Sequence, residues 1–365
     1  MTFKQLIPLC LFFCFAGQVS ADVQRLRPVR DPVGFCWQAG EMDQLVSFLE
    51  AREPLTTHPG NLGPLVGGIL PHDDYLYAAP ITYALTRRIE ASEALIIGVT
   101  HGSVRKILNN LQGVLILDNY SHWPGPYGPV PVSPLRERMK SGLAVESWIE
   151  NDKAHDLEHS IEALIPLLQY RQRQLTITPI MVTAMPEARM AALSKDLAGV
   201  VSTYLRETGK VMGRDFVVLI SADGNHYGKD FDNLDFGMGR AAHQAALAYD
   251  HTILDELTSG PLNGKRIAIL SQELWGADYQ SRGKVLWCGK YSIPFGLHLL
   301  LELSRCIDAN RVITPRLLGY GDTFSQGVLP FQGSDLGITA PFSLEHWVSF
   351  FSVAFFADKL PARVH

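Results

Sequence analysis

Two histidines, His72 and His101, each stand just past a short apolar run, and Cys288 stands just before a helical pattern. Neutral imidazole and thiolate are both ligands for copper, iron or zinc. Read one at a time, each residue also has a plainer explanation. The His72-Asp73-Asp74 turn could simply cap the next helix, since Asp is a good N-cap. His101 lies between Gly98 and Gly102, which would let backbone approach a ligand closely. Cys288 could be a small buried residue at a strand end, or a thiolate favoured by Lys290 and a following helix N-terminus.

Two further clusters could move protons. His226 sits in Asp223-Gly224-Asn225-His226-Tyr227-Gly228, a turn whose Asp, Gly and Asn follow from backbone chemistry but whose His and Tyr do not. His155-Asp156-Leu157-Glu158-His159 matches the inverted zinc-protease pattern, in which two His on one helical turn bind zinc and Glu activates water. So short a pattern also arises by chance, and it lacks an identifiable third ligand. The other reading sends Glu158 and His159 inward at the start of the next amphipathic helix.

The elements that must position these residues alternate. Apolar runs at 65–70, 94–99, 114–117, 175–182 and 216–220 read as strands. Helical patterns lie between them, as at 79–89, at Ile161/Leu164/Ile165/Leu168 and at Ile293/Leu297/Leu300/Leu301. This alternation predicts an α/β fold, a mostly parallel or mixed central sheet flanked by helices. The His-bearing clusters follow strands, where open α/β sheets bind ligands. His298 and Cys306 fall inside a helical pattern and are expected to be structural, Cys306 on a core face. The apolar stretch 347–356 is too short to span a bilayer and is expected as a buried terminal strand or helix. From about Thr314 a Pro/Gly-rich tail is expected.

The chain of 365 residues, 47% of them hydrophobic, can bury a large core. Its net charge of −5, without a dense basic run, argues against nucleic acid as a partner. Lys4, the apolar 6–16 stretch and Val19-Ser20-Ala21 form an export signal, with the mature chain starting near Asp22 and running as a single domain, 22–365. Cys10 and Cys14 leave with that leader. Cys36, Cys288 and Cys306 then remain, so at least one thiol is unpaired, and a Cys36–Cys306 disulfide is left open.

In order along the chain, Pro71 to Tyr75, Gly98-Val99-Thr100-His101, Glu158-His159-Ser160-Ile161-Glu162, Ser221 to Gly228 and Cys288-Gly289 resemble the Memo-like family, the B component of the AmmeMemoRadiSam grouping. The segments 30–37 and 45–49 resemble its entry motif more loosely, and the whole resemblance covers about 28–325. It implies the LigB/Memo-like fold of the class III extradiol dioxygenases, which are non-haem iron enzymes. It places a metal on His72, His101 and Cys288, with His159 and His226 as acid/base histidines. The sequence departs from the family in Asp73-Asp74, which puts two carboxylates beside the expected metal, in His101-Gly102 where a double His is usual, and in Gly224-Asn225. Export is atypical of the family as well.

The resulting expectation is a secreted or periplasmic, mononuclear metal-dependent enzyme of redox or oxygenase type. Its cofactor is one metal ion, copper or iron ahead of zinc. His72, His101 and Cys288 are its ligands, and His159 and His226 handle protons, oriented by Glu158 and Asp223. Its partner is a small molecule or peptide, with no membrane span once the leader is removed. Two alternatives stand beside this: a non-catalytic metal- or peptide-binding protein on the same fold, and a zinc hydrolase using His155, Glu158 and His159.

Overall fold

The computed structural model describes residues 25–52 and 62–359. The export signal and its cleavage site lie outside the described residues.

The elements in chain order are α1 (Ala39–Arg52), β1 (Leu65–Leu70), α2 (Tyr75–Thr86), β2 (Glu93–Gly98), α3 (Gly102–Ile107), β3 (Leu115–Leu117), β4 (His122–Trp123) and β5 (Val130–Pro131). Next come α4 (Leu135–Gly142), β6 (Trp148–Glu150), α5 (Asp152–Leu157), α6 (Ile165–Arg171), β7 (Thr176–Val182), α7 (Glu187–Thr208), β8 (Phe216–Ser221) and β9 (His226–Gly228). The last are α8 (Gly239–Thr258), α9 (Gly264–Trp275), α10 (Ser292–Ile307), β10 (Arg311–Asp322), α11 (Thr323–Gln326) and β11 (His346–Lys359).

The main sheet runs β10-β11-β1-β8-β2-β7-β3-β6, and β9 pairs with β11. Its centre, β1-β8-β2-β7, is parallel. The β11 pairings with β1 and β10, and that of β3 with β7, are antiparallel. The sheet is therefore mixed around a parallel centre, as the alternating pattern predicts.

Both faces of the centre are buried, which is why its strands read as unbroken apolar runs. In β2, Leu95 and Ile97 pack into the core under α7, α8, α9 and α10, whereas Ala94 and Ile96 face the core under α1, α2 and α6. In β8, Val218 and Ile220 point one way while Val217 and Leu219 point the other. This period of two is the pleat itself.

Several sequence expectations need correction. The 314–326 region is not a tail: Arg311–Asp322 is a long strand paired with β11, which the 347–356 stretch also builds. The helix expected at 79–89 runs instead from Tyr75 to Thr86, with Pro80 inside it; the Leu76 carbonyl that Pro80 cannot bond accepts from Leu329 N at 2.8 Å. Cys36, Cys288 and Cys306 are all free, so Cys36 and Cys306 form no disulfide. Cys36 is buried, while Cys306 faces solvent and not the core. Among the described residues, no helix is long and apolar enough to cross a membrane.

Candidate metal centre

His72 follows β1 and His101 follows β2, neighbours on either side of β8, so both arrive at the carboxyl edge of the parallel strands. Cys288 reaches the same edge from the loop before α10, and Asp223 from the loop after β8. The ligand atoms of His72, His101 and Cys288 all lie within 4.8 Å of one another. Cys288 Sγ is 3.5 Å from His72 Nε2.

The hydrogen bonds behind the two imidazoles select their tautomers. The Ser221 hydroxyl donates to the Ser160 carbonyl at 2.6 Å, an oxygen that can only accept. Its remaining lone pair therefore accepts from His72 Nδ1, 2.8 Å away, so that nitrogen carries the proton and Nε2 turns its lone pair toward Cys288. His101 Nδ1 donates to Glu158 Oε1 at 2.8 Å, leaving Nε2 toward the site. Burial lowers the pKa of this ring, but the Glu158 charge and hydrogen bond outweigh it and raise it, so a metal at Nε2 would displace a proton.

Glu158 is buried, yet it stays ionised. Burial by itself would raise its carboxyl, but the charge and hydrogen bond of His101 outweigh that and hold it well below the usual range. It accepts from His101 N and Nδ1 and from the amides of His159 and Ser160. Three of these donors fall on Oε1 and one on Oε2, so Oε2 keeps a lone pair. A second grouping, His101, Glu158 and His159, also meets the distance requirement for a metal. Glu158 Oε1 already takes three of these donors, one of them His101 Nδ1, and the His/His/Cys set leaves those bonds in place.

The loop carrying Glu158 and His159 is pinned from behind. Arg27, 1% exposed, donates to the carbonyls of His155 and Glu158 and pairs with Glu162. Glu162 in turn accepts from the amides of Arg30 and Asp31. Gly98 is required by the same loop, because a Cβ there would stand 2.7 Å from Ile161 Cγ1 and 2.9 Å from Ser160 Oγ. Its role is to let β2 pass this loop, not to admit a ligand.

His159 stacks on His101 with ring centroids 4.9 Å apart and planes 1° from parallel. His226 donates through Nδ1 to the Gly224 carbonyl at 3.1 Å and keeps Nε2 free. Burial first, and the charge of His101 next, lower both His159 and His226 to about 4. Each is thus a neutral imidazole at neutral pH, able to accept a proton.

The orienting roles differ from expectation. Glu158 holds the candidate ligand His101, and Asp223 sits against His72, not His226. Asp223 Oδ1 accepts from His72 N at 2.8 Å, and Oδ2 lies 3.3 Å from His72 Nε2. Burial raises the Asp223 carboxyl to about 7, against the pull of the His72 amide. The charges of both extra carboxylates reach Asp223 or are reached by it, Asp73 most directly. Asp74 is turned away, accepting from Thr339 N and Oγ1, so it neither lies beside the metal ligands nor caps α2 with its side chain. Nor does the sequence expectation of a ready thiolate hold. Burial and the Asp223 charge raise the Cys288 thiol well up, and Lys290 Nζ donates to the Ser281 carbonyl and not to the sulfur.

The inverted-protease pattern does not assemble. His155 belongs to α5, but the helix ends at Leu157, and Glu158 is already extended. The His155 ring is fully buried, edge-on to Trp123, with Nε2 on the Ile116 carbonyl at 3.2 Å.

Ser221, Ser160 and Arg27 support the site and were not singled out by sequence. A buried Ser ending an apolar strand was the one available signal for Ser221. Ser160 and Arg27 act through contacts that spacing does not reveal.

A sequence model of the Memo-like protein family matches residues 40–312. Similar proteins include MEMO1 family proteins of Ignicoccus hospitalis, 30% identical over 44% of this chain and 53% of that protein, and of Aquifex aeolicus, 29% identical over the same shares. That of Pyrococcus furiosus is 28% identical over 53% of this chain and 63% of its own length. The chain spans about half the length of the first two and somewhat more of the third. The family match takes in His72, His101, Glu158, His159, Asp223, His226 and Cys288 and stops before β11.

Proposed function

The chain belongs to the Memo-like family, and from that premise we propose that it is a mononuclear metal-dependent enzyme of redox or oxygenase type. The observation that carries this reading is the number of convergent ligands. His72, His101 and Cys288 bring three donor atoms together, and a structural site would be closed by a fourth. Two imidazoles and one thiolate suit copper or iron, with zinc also accommodated. When bound, such a metal would supply one-electron chemistry and an open position for substrate.

The residues of the chain supply the rest. Ser221 and Glu158 fix the two imidazoles with Nε2 toward the site. His226 lines the cavity beside His101 and Cys288, where its free Nε2 can take a proton from a bound molecule. His159, stacked on His101, is the second neutral base. The Asp223 carboxyl, raised to about 7 by burial, can exchange a proton near neutrality. The hydrolase alternative loses its support because His155 stays in the core.

This reading also places the mature protein outside the cytoplasm, on the strength of the leader at 1–21. Intact mass of exported protein should begin near Asp22; a retained Met1 would remove the export claim. The function is tested by metal analysis of that exported protein, followed by an oxygen-consumption screen. One copper or iron per chain, lost with Cys288→Ser, is the expected result. A chain that binds neither metal would end the proposal.

A further inference from the structure

Beside the candidate ligands lies a cavity of about 620 Å³, a size that accepts a small organic molecule. His101, His226 and Cys288 form part of its wall. Although the chain carries a net charge of −5, no carboxylate among the described residues lines this cavity, while two cations, Arg105 and Lys290, do. Arg105 Nη1 donates to the Thr100 carbonyl at 2.5 Å, and Lys290 Nζ to the Ser281 carbonyl at 3.0 Å. Both bonds are to neutral backbone, so neither positive charge is compensated by them. Asp278 acts on Lys290 from outside the wall, where its carboxylate accepts from the amides of Gln280 and Ser281. Leu108, Leu111 and Leu286 supply an apolar surface in the same cavity.

Among the described residues, a wall with two cations in no ion pair, apolar side chains and no lining carboxylate draws in anions more readily than cations. We propose that the cavity binds an organic oxyanion, a carboxylate or a phosphate monoester on an apolar body. The oxyanion is held by Arg105 and Lys290, and the apolar body lies on the leucines. The rest of the molecule then faces His101, His226 and Cys288. Arg105 suits this role because its planar fork can meet two oxygens at once, and Lys290 adds a point charge. The inference names the substrate class of the site proposed above and rests on reading that site as one that takes a substrate.

Titration calorimetry of the full chain with benzoate, phenyl phosphate and neutral benzyl alcohol tests it, before and after removal of metal by a chelator. At least one anion should bind about tenfold or more tightly than benzyl alcohol, and more weakly as salt is raised. The preferred anion identifies the headgroup. Arg105→Gln and Lys290→Gln should each weaken that anion by about tenfold, and Arg105→Lys should recover part of the loss. The preference must survive chelation, since direct binding of an anion to a metal would not. Equal binding of benzyl alcohol, no anion binding after chelation, or an unchanged affinity in the double Gln variant would overturn the proposal. Anion binding by a chain that takes up no metal would leave this inference standing and remove the metal reading. Metal uptake without anion preference would do the reverse.

Discussion

Cys288 Sγ stands 3.5 Å from His72 Nε2 although 216 residues separate the two in the chain. Nothing local links them; β1 delivers one and the loop before α10 the other. Cys288→Ser should therefore weaken metal binding by about a hundredfold or more, since losing a ligand exceeds the effect of losing its support. Cys306→Ser, at an exposed helical position, should leave binding unchanged. Competition with a chromogenic chelator reads both.

Ser221 links His72 to the Ser160 carbonyl. Ser221→Ala should lower metal affinity by about ten- to a hundredfold, because the His72 ring loses the acceptor that fixes its tautomer. Equal affinity in this variant would show that packing alone orients His72.

His159→Ala and His226→Ala should each keep the metal and lower turnover by about a hundredfold. Metal analysis and rate, measured on one preparation, separate the two effects. Loss of metal in either variant would make that histidine a ligand.

Arg27 bonds the carbonyls of both His155 and Glu158, and it pairs with buried Glu162. Arg27→Met should cost about 3–5 kcal/mol, the range for stranding one member of a buried pair. Urea unfolding measures it. A cost under about 1 kcal/mol, typical of exposed pairs, would mean the strap adds little.

Asp250 accepts from Trp287 Nε1, Tyr320 OH and Ser349 Oγ in the core behind the site. Burial raises its carboxyl to about 6 despite those donors. An acid with its folded value above its unfolded one binds more protons when folded, so its contribution falls as pH rises. The window runs from the ordinary value of 3.8 to about 6, and the loss across it is roughly 3 kcal/mol. Unfolding free energy measured from pH 4 to 7 should fall less steeply in Asp250→Asn than in the parent chain.

The central strands were legible because both faces of β1, β2, β7 and β8 are buried, and such strands must be written as apolar runs. His72 and His101 were legible as a pair for a related reason: each directly follows such a run, and ligands gather at the carboxyl ends of parallel strands. Cys288 was reached through ordered motifs, since no local pattern distinguishes a ligand thiol from a core one. Partner choice was not legible. The sequence shows Glu158, Asp223, His159 and His226, but which carboxylate meets which ring depends on β-strand order and loop paths. Those put Glu158 on His101 and Asp223 on His72. The same holds for the His155 pattern, whose meaning turned on a helix ending one residue before Glu158. Hydrogen bonds and field effects act over a few ångströms of space, and residue spacing bounds that distance only within a single element. Between elements, tertiary structure alone decides it.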